Sequence, residues 1–173
     1  MNAEEWRRAT DRIARDRARV IASIAAYAET DLLCYRAAAP EMLRKRQDAA
    51  WQPWLDWAAL RFDALLLVTS GIVHIAQPAP AIAALTGAVA RASDQELAVL
   101  EVVVPATGSL VLGLALLDGA IRAAELHEAA SVDERFQAEF WGADEEAEVR
   151  LAGIGGDIAV AERFLASSRE RSD

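Results

Sequence analysis

Along most of the chain, apolar residues recur every three to four positions, the spacing that lines them up on one face of an α-helix. Residues 3–28 place Ile13, Val20, Ile24 and Tyr27 on such a face, with Ala14 and Ala28 beside them, and predict one long amphipathic helix. Thr30 and Asp31 can cap a short helical turn over 32–36. Pro40 suits the first position of the next helix, where a missing N–H leaves nothing unpaired. That helix runs to Phe62, bends at Pro53 and carries Trp51, Trp54 and Trp57 on adjacent turns as core anchors. The rhythm then stops. Residues 63–80 hold aliphatic and β-branched side chains, Gly71 and two prolines, and predict an extended connector, partly buried and unpaired, in which His74 is structural. Residues 81–91 return to a plain helix.

The stretch 97–117 is the expected centre of the molecule. From 102 to 117 (VVVPATGSLVLGLALL) it has no charged side chain and no polar face, so protein or lipid must surround it. It is shorter than the roughly 20 apolar residues that span a bilayer core. A buried core helix follows, kinked or split at Pro105, which lacks a backbone donor and crowds the carbonyl of Glu101. Ser109 and Gly113, four apart, let a neighbouring helix come close. Ser93 with Glu96 forms a capping box at its start, and Asp118-Gly119 stops it. A short helix over 121–130 follows. Ser131 with Glu134 forms a second box for the helix that carries Phe136, Phe140 and Trp141 and ends at Gly142. The last helix, 144–166, contains Gly153, Gly155 and Gly156, each costing roughly 1 kcal/mol relative to alanine, and a break is expected there. The reading is an all-α protein, one helical domain over 1–173, with a central buried, kinked helix.

Charge narrows the function. A net charge of -9 over 173 residues opposes binding to nucleic acid, which rests on Lys and Arg neutralising phosphates. The arginines at 7, 8, 12, 15, 17 and 19 alternate with Glu4, Glu5, Asp11 and Asp16, so they form a solvated helix face and not an acid-poor transit peptide. Cys34, the single cysteine, has no partner for an internal disulfide. A di-iron bundle needs Glu three residues before His, but positions 71 and 124 hold Gly and Ala. The only lysine, Lys45, stands in no phosphate-binding loop, and no serine or cysteine has a histidine at a motif spacing. No catalytic residue, cofactor or metal is expected. What remains is Gln137, Glu139, Trp141 and Gly142, followed by Asp144, Glu145, Glu146 and Glu148. Acids in a first helical turn explain the later members. Glu139, set between Phe136, Phe140 and Trp141, is either a rim charge or a group that reads a partner.

Taken together, 27–37 (YAETDLLCYRA), Pro40, Leu43, Arg46, Gln47, Trp51, Pro53, 55–58 (LDWA), Val68-Thr69 with Gly71, and Gln77-Pro78 resemble the Atp-twelve family, the ATP-synthase assembly chaperones that hold the free α subunit. The stretch 108–115 (GSLVLGLA), the Gln137-x-Glu139-x-Trp141-Gly142-x-Asp144 motif and Arg163-Phe164-Leu165 continue the likeness over nearly the whole chain. The resemblance implies a non-enzymatic protein that binds the α subunit of the F-type ATP synthase and shields its β-facing surface. It implies partner-binding roles for Glu139, Gln137, Trp141, Asp144, Asp31 and Arg36. Family members carry a β-rich domain ahead of the first long helix; this sequence starts at that helix and reads as a shortened form or a naturally short relative. The setting implied is a bacterial cytoplasm, or the mitochondrial matrix for eukaryotic relatives, without stable membrane insertion and with at most weak homo-oligomerisation. The competing reading is an all-α structural or regulatory protein that associates with itself through the same apolar patch.

Overall fold

A computed structural model describes residues 1–142 and 144–170. Among them the chain forms nine α-helices: α1 Ala3–Arg15, α2 Arg17–Ala25, α3 Glu41–Phe62, α4 Ala79–Arg91, α5 Asp94–Thr107, α6 Leu110–Asp118, α7 Ala123–Ala130, α8 Val132–Trp141 and α9 Glu145–Glu170. Two single 3₁₀ turns, Ala26–Glu29 and Leu32–Cys34, follow α2, and two two-residue strands, β1 Tyr35–Arg36 and β2 Thr69–Ser70, complete the described elements. No helix among the described residues is long and apolar enough to cross a membrane.

Helix α5 is the hub, packing against α1, α2, α6 and α9. The uncharged central stretch is largely buried as expected, with Pro105 exposed, yet it is two helices. Pro105 lies inside α5 and the break falls three residues later, at Gly108, whose φ of 71° is the left-handed geometry that glycine adopts without strain. Its N–H closes α5 on the Val104 carbonyl at 2.8 Å, and Ser109 opens α6 by accepting the Leu112 N–H at 3.1 Å. Every residue of α6 from Leu110 to Leu117 is buried. Gly113 permits the close approach its spacing suggested: a Cβ there would lie 2.7 Å from Val104 Cγ2 and 3.1 Å from Leu100 Cδ2, both on α5.

Other expectations are corrected in instructive ways. The first helix is not continuous over 3–28 but breaks at Asp16, which leaves the helical range between α1 and α2. The 32–36 turn stops at Cys34, because Tyr35 and Arg36 pair in parallel with Thr69 and Ser70. The 63–80 connector is therefore partly a paired strand, tied further by the Gly71 N–H to the Arg36 carbonyl at 2.8 Å and by the Gln77 amide to both backbone groups of Leu67. Ser131 makes no capping box. One residue separates α7 from α8, so its hydroxyl donates back to the His127 carbonyl at 2.6 Å and satisfies the end of the preceding helix instead. Helix α9 runs unbroken through its three glycines. Gly155 marks a close approach, since a Cβ there would sit 3.1 Å from the His127 ring on α7.

Asp31 ties these parts together. Its carboxylate, fully buried, accepts the Leu33 N–H at 3.0 Å and the Val111 N–H at 3.0 Å, so it caps a 3₁₀ turn and the start of α6 at once. The Leu32 N–H donates to the Gly108 carbonyl at 2.9 Å across the same junction. Burial disfavours the charged form and pushes the Asp31 carboxyl up to about 6, although the surrounding donors pull the other way. Beside it, burial and the Asp31 charge push the Cys34 thiol up to about 12, which keeps it an unreactive thiol.

Three substitutions test this core. Leu112→Ala should cost about 2–5 kcal/mol by cavity formation, with an unchanged denaturant m-value. Gly113→Ala should also destabilise in urea titration: alanine's helix preference of about 1 kcal/mol is outweighed by overpacking that costs about 1–3 kcal/mol. Asp31 should give a pH signature. With its folded pKa raised to about 6 from 3.8, the folded state holds the proton more tightly, so this group's contribution is full below 3.8 and is lost as pH rises through about 6. The unfolding free energy of the wild type minus that of Asp31→Asn, which cannot titrate, should fall by roughly 3 kcal/mol across that window and stay flat above it. A difference that rises with pH would reverse the assignment.

Candidate partner-binding site

Helix α8 buries one side chain, Phe136, and leaves the rest of its aromatic set in solvent. Phe140 is 46% exposed and Trp141 is 71% exposed. Phe140, one turn on from Phe136, touches its ring, with centroids 4.4 Å apart, but only Phe136 reaches the core. Trp141 stands edge-on to Phe136 at 6.1 Å. Gly142, at φ 94°, ends the helix directly after it.

Glu139 is not a free rim charge. Arg46 on α3 donates to it through both terminal nitrogens, at 2.5 Å and 3.0 Å, the two-pronged geometry that a guanidinium and a carboxylate favour. The same guanidinium lies over the Phe136 and Phe140 rings, 5.2 Å and 5.8 Å from their centroids. The hydrogen bond from Arg46 holds the Glu139 carboxyl below its ordinary range and raises Arg46 in turn. Both side chains keep contact with solvent, at 40% and 53% exposure. The result is an exposed ion pair resting on two phenylalanines with a tryptophan at its edge.

Helix α3 holds this face from behind. The Gln47 amide donates to Asp133 at 2.7 Å and accepts the Ala37 N–H at 2.6 Å, which links α8 to the end of β1. The Trp51 indole, fully buried, donates to the Ala129 carbonyl at 2.7 Å at the end of α7. Trp54 and Trp57 are partly buried on the core, as anchors should be.

The six residues expected to meet a partner thus separate into three places. Glu139 and Trp141 share the α8 aromatic face. Gln137 and Asp144 line a cleft of about 450 Å³ between α7, α8 and α9, together with His127, Glu134, Arg135 and Arg150. The His127 ring, with Nδ1 buried and unbonded among the described residues, packs on Gly155; burial first and then the Arg135 charge lower its pKa. Asp31 and Arg36, expected as partner contacts, lie in the interior, with no surface to offer. Asp31 is the internal cap described above. Arg36 is 1% exposed, donates to Asp48 at 2.8 Å and to the Leu33 carbonyl, and lies over Trp51 at 5.2 Å. Both hold the fold behind the site. Arg46 was absent from the expected set, and its pairing with a residue 93 positions away leaves no local signal in sequence.

Residues 3–59 match the family model described as ATP12 chaperone protein. The crystal structure of Atp12 from Paracoccus denitrificans is 39% identical to this chain, with a TM-score of 0.89, covering 91% of this chain and 68% of that one. A point mutant of the same protein matches equally. The Atu1473 protein of Agrobacterium tumefaciens, described as a candidate chaperone, is 37% identical with a TM-score of 0.84, covering 92% of this chain and 60% of that one.

Proposed function

The chain belongs to the ATP12 chaperone family, which supports a role in ATP-synthase assembly and not in catalysis, and on that premise we propose that it binds the free α subunit of the F-type ATP synthase. In this reading the bound chaperone shields the α-subunit surface that later meets the β subunit, and it does so in a bacterial cytoplasm.

The observation that carries the reading is the α8 face: Phe140 and Trp141 held in solvent around the Glu139–Arg46 pair. Large exposed aromatics with an arginine are the composition of energetically dominant interface centres. Asp133, Glu134, Asp144, Glu145 and Glu146 surround them in sequence and suit a rim that favours a basic client surface. A stable complex buries about 1,600 Å² in all, more than this patch alone supplies, so Gln137 and Asp144 in the adjoining cleft belong to the same footprint.

Capture by tagged α subunit, with tagged β subunit as the control, tests the assignment. The wild type should be retained by α and not by β. Glu139→Lys should weaken retention about tenfold or more, because a like charge then faces a basic client. That lysine also faces Arg46, so the swapped pair Arg46→Glu with Glu139→Arg is needed. It restores the internal bridge but reverses the charge at each position. Retention that stays weak in the swap, with thermal midpoints near wild type, supports a carboxylate at 139 that reads the client. Full recovery in the swap would make the pair a purely internal brace, and retention by neither subunit, with a dimer in solution, would favour self-association.

A further inference from the structure

The groove between α1 and α9 carries chemistry that the α8 face does not use. Each helix contributes an aromatic next to an arginine: Trp6 and Arg7 from α1, Arg163 and Phe164 from α9. The two rings stack face to face, with centroids 4.2 Å apart and planes 3° from parallel. The groove encloses about 650 Å³, within the range of sites that hold a ligand.

Its lining includes three donors, the Trp6 indole and the Arg7 and Arg163 guanidiniums, that meet no acceptor among the described residues. Trp6 as a whole is only 3% exposed, yet its indole nitrogen is not sealed in the interior, unlike that of Trp51, which donates to Ala129. Among the described residues the Trp6 N–H has no acceptor, so it is open to one in the groove. Arg7 and Arg163 likewise have no carboxylate partner among the described residues, whereas their neighbours Arg8, Arg12, Arg17 and Arg19 pair with Glu4, Glu101, Asp94 and Asp16. The single acid on the groove wall is Asp11, so the wall carries a surplus of positive charge over an apolar floor.

We propose that this groove docks a segment of a partner protein in which a glutamate or aspartate stands beside aromatic or large aliphatic side chains. The carboxylate meets Arg7 and Arg163, which recognise its planar oxygens two at a time. The indole N–H of Trp6 donates to a further oxygen, and the apolar side chains lie along the Trp6–Phe164 stack. A polypeptide is the occupant because the groove is long and open: on α1 its wall extends from Ala3 to Asp11, about 12 Å at 1.5 Å per residue, more than one small acid would cover. The charge preference is opposite to that of the acid-rimmed α8 face, so this contact is a second one and stands or falls independently of it.

Fluorescence anisotropy with a labelled amphipathic peptide of leucine, phenylalanine and glutamate, and a twin with lysine for glutamate, tests the proposal on the full chain. The glutamate peptide should bind at least about tenfold more tightly than its twin. Arg163→Glu should invert that order, and Trp6→Phe should weaken the glutamate peptide several-fold while keeping the ring stack. Circular dichroism of each variant checks that it is folded; Arg163 is exposed, so its substitution leaves the core alone. Equal binding of the two peptides, no binding of either, or an unchanged preference in folded Arg163→Glu would overturn the proposal. So would full displacement of the peptide by phenylacetate at equal affinity, which would make the groove a small-acid pocket, or a wild-type dimer dissociated by Arg163→Glu, which would make the occupant a second copy of the chain.

Discussion

A carboxylate enclosed at the start of a buried helix is the constraint on which the other elements depend. Taking the Asp31 charge out of water costs several kcal/mol. The cost is offset only where N–H groups converge, and α6 begins at such a place because Gly108 has just ended α5. Asp31 accepts from Val111 on one side and Leu33 on the other. The chain after α2 is thereby fixed against the α5–α6 junction, with Leu33 and Cys34 in the core. From there the sequence passes through β1 to α3, and the register of α3 sets Arg46, Gln47 and Trp51 against α7 and α8. The α8 face is thus positioned through a chain of contacts beginning at Asp31, a residue sealed from solvent.

The helical content was readable because burial here follows helix periodicity. Apolar positions such as Ile13, Val20 and Ile24 are all buried, and the uncharged stretch at 102–117 could only be interior. The Ser93–Glu96 capping box and the stops at Gly119 and Gly142 also announce themselves, since each depends on residues within one turn. Misreadings came where a distant element decided. Pro105 is tolerated inside α5 while Gly108 ends it, and Gly155 is spent on contact with His127 and not on a break. Ser131 had the right neighbours for a cap but serves the helix before it.

The candidate site divides along the same line. Glu139 and Trp141 could be singled out because a carboxylate among aromatics is unusual in any sequence. Their setting could not be read, since it depends on Arg46 arriving from another helix. Asp31 and Arg36 show the converse: charged residues within a distinctive motif read as contacts, whereas their job is to satisfy backbone and side-chain groups in the interior. A motif records that a residue type is needed, and only the packing shows whether the need faces inward or outward.

The segment between α3 and α4 has a consequence of its own. Leu65, Ile72 and Val73 stand largely in solvent, Ile72 at 99% exposure, while two parallel residue pairs hold β2 to β1. An endopeptidase needs an accessible stretch outside regular helix, and the irregular chain around β2, bent at Gly71 and Ile72, displays its aliphatic side chains to solvent. Limited digestion of the folded protein therefore has a ready first site here, at a loop tip of the kind where nicking concentrates. The cut would leave two fragments held together by the α5-centred core, since α1 to α3 and α4 to α9 contact each other across it.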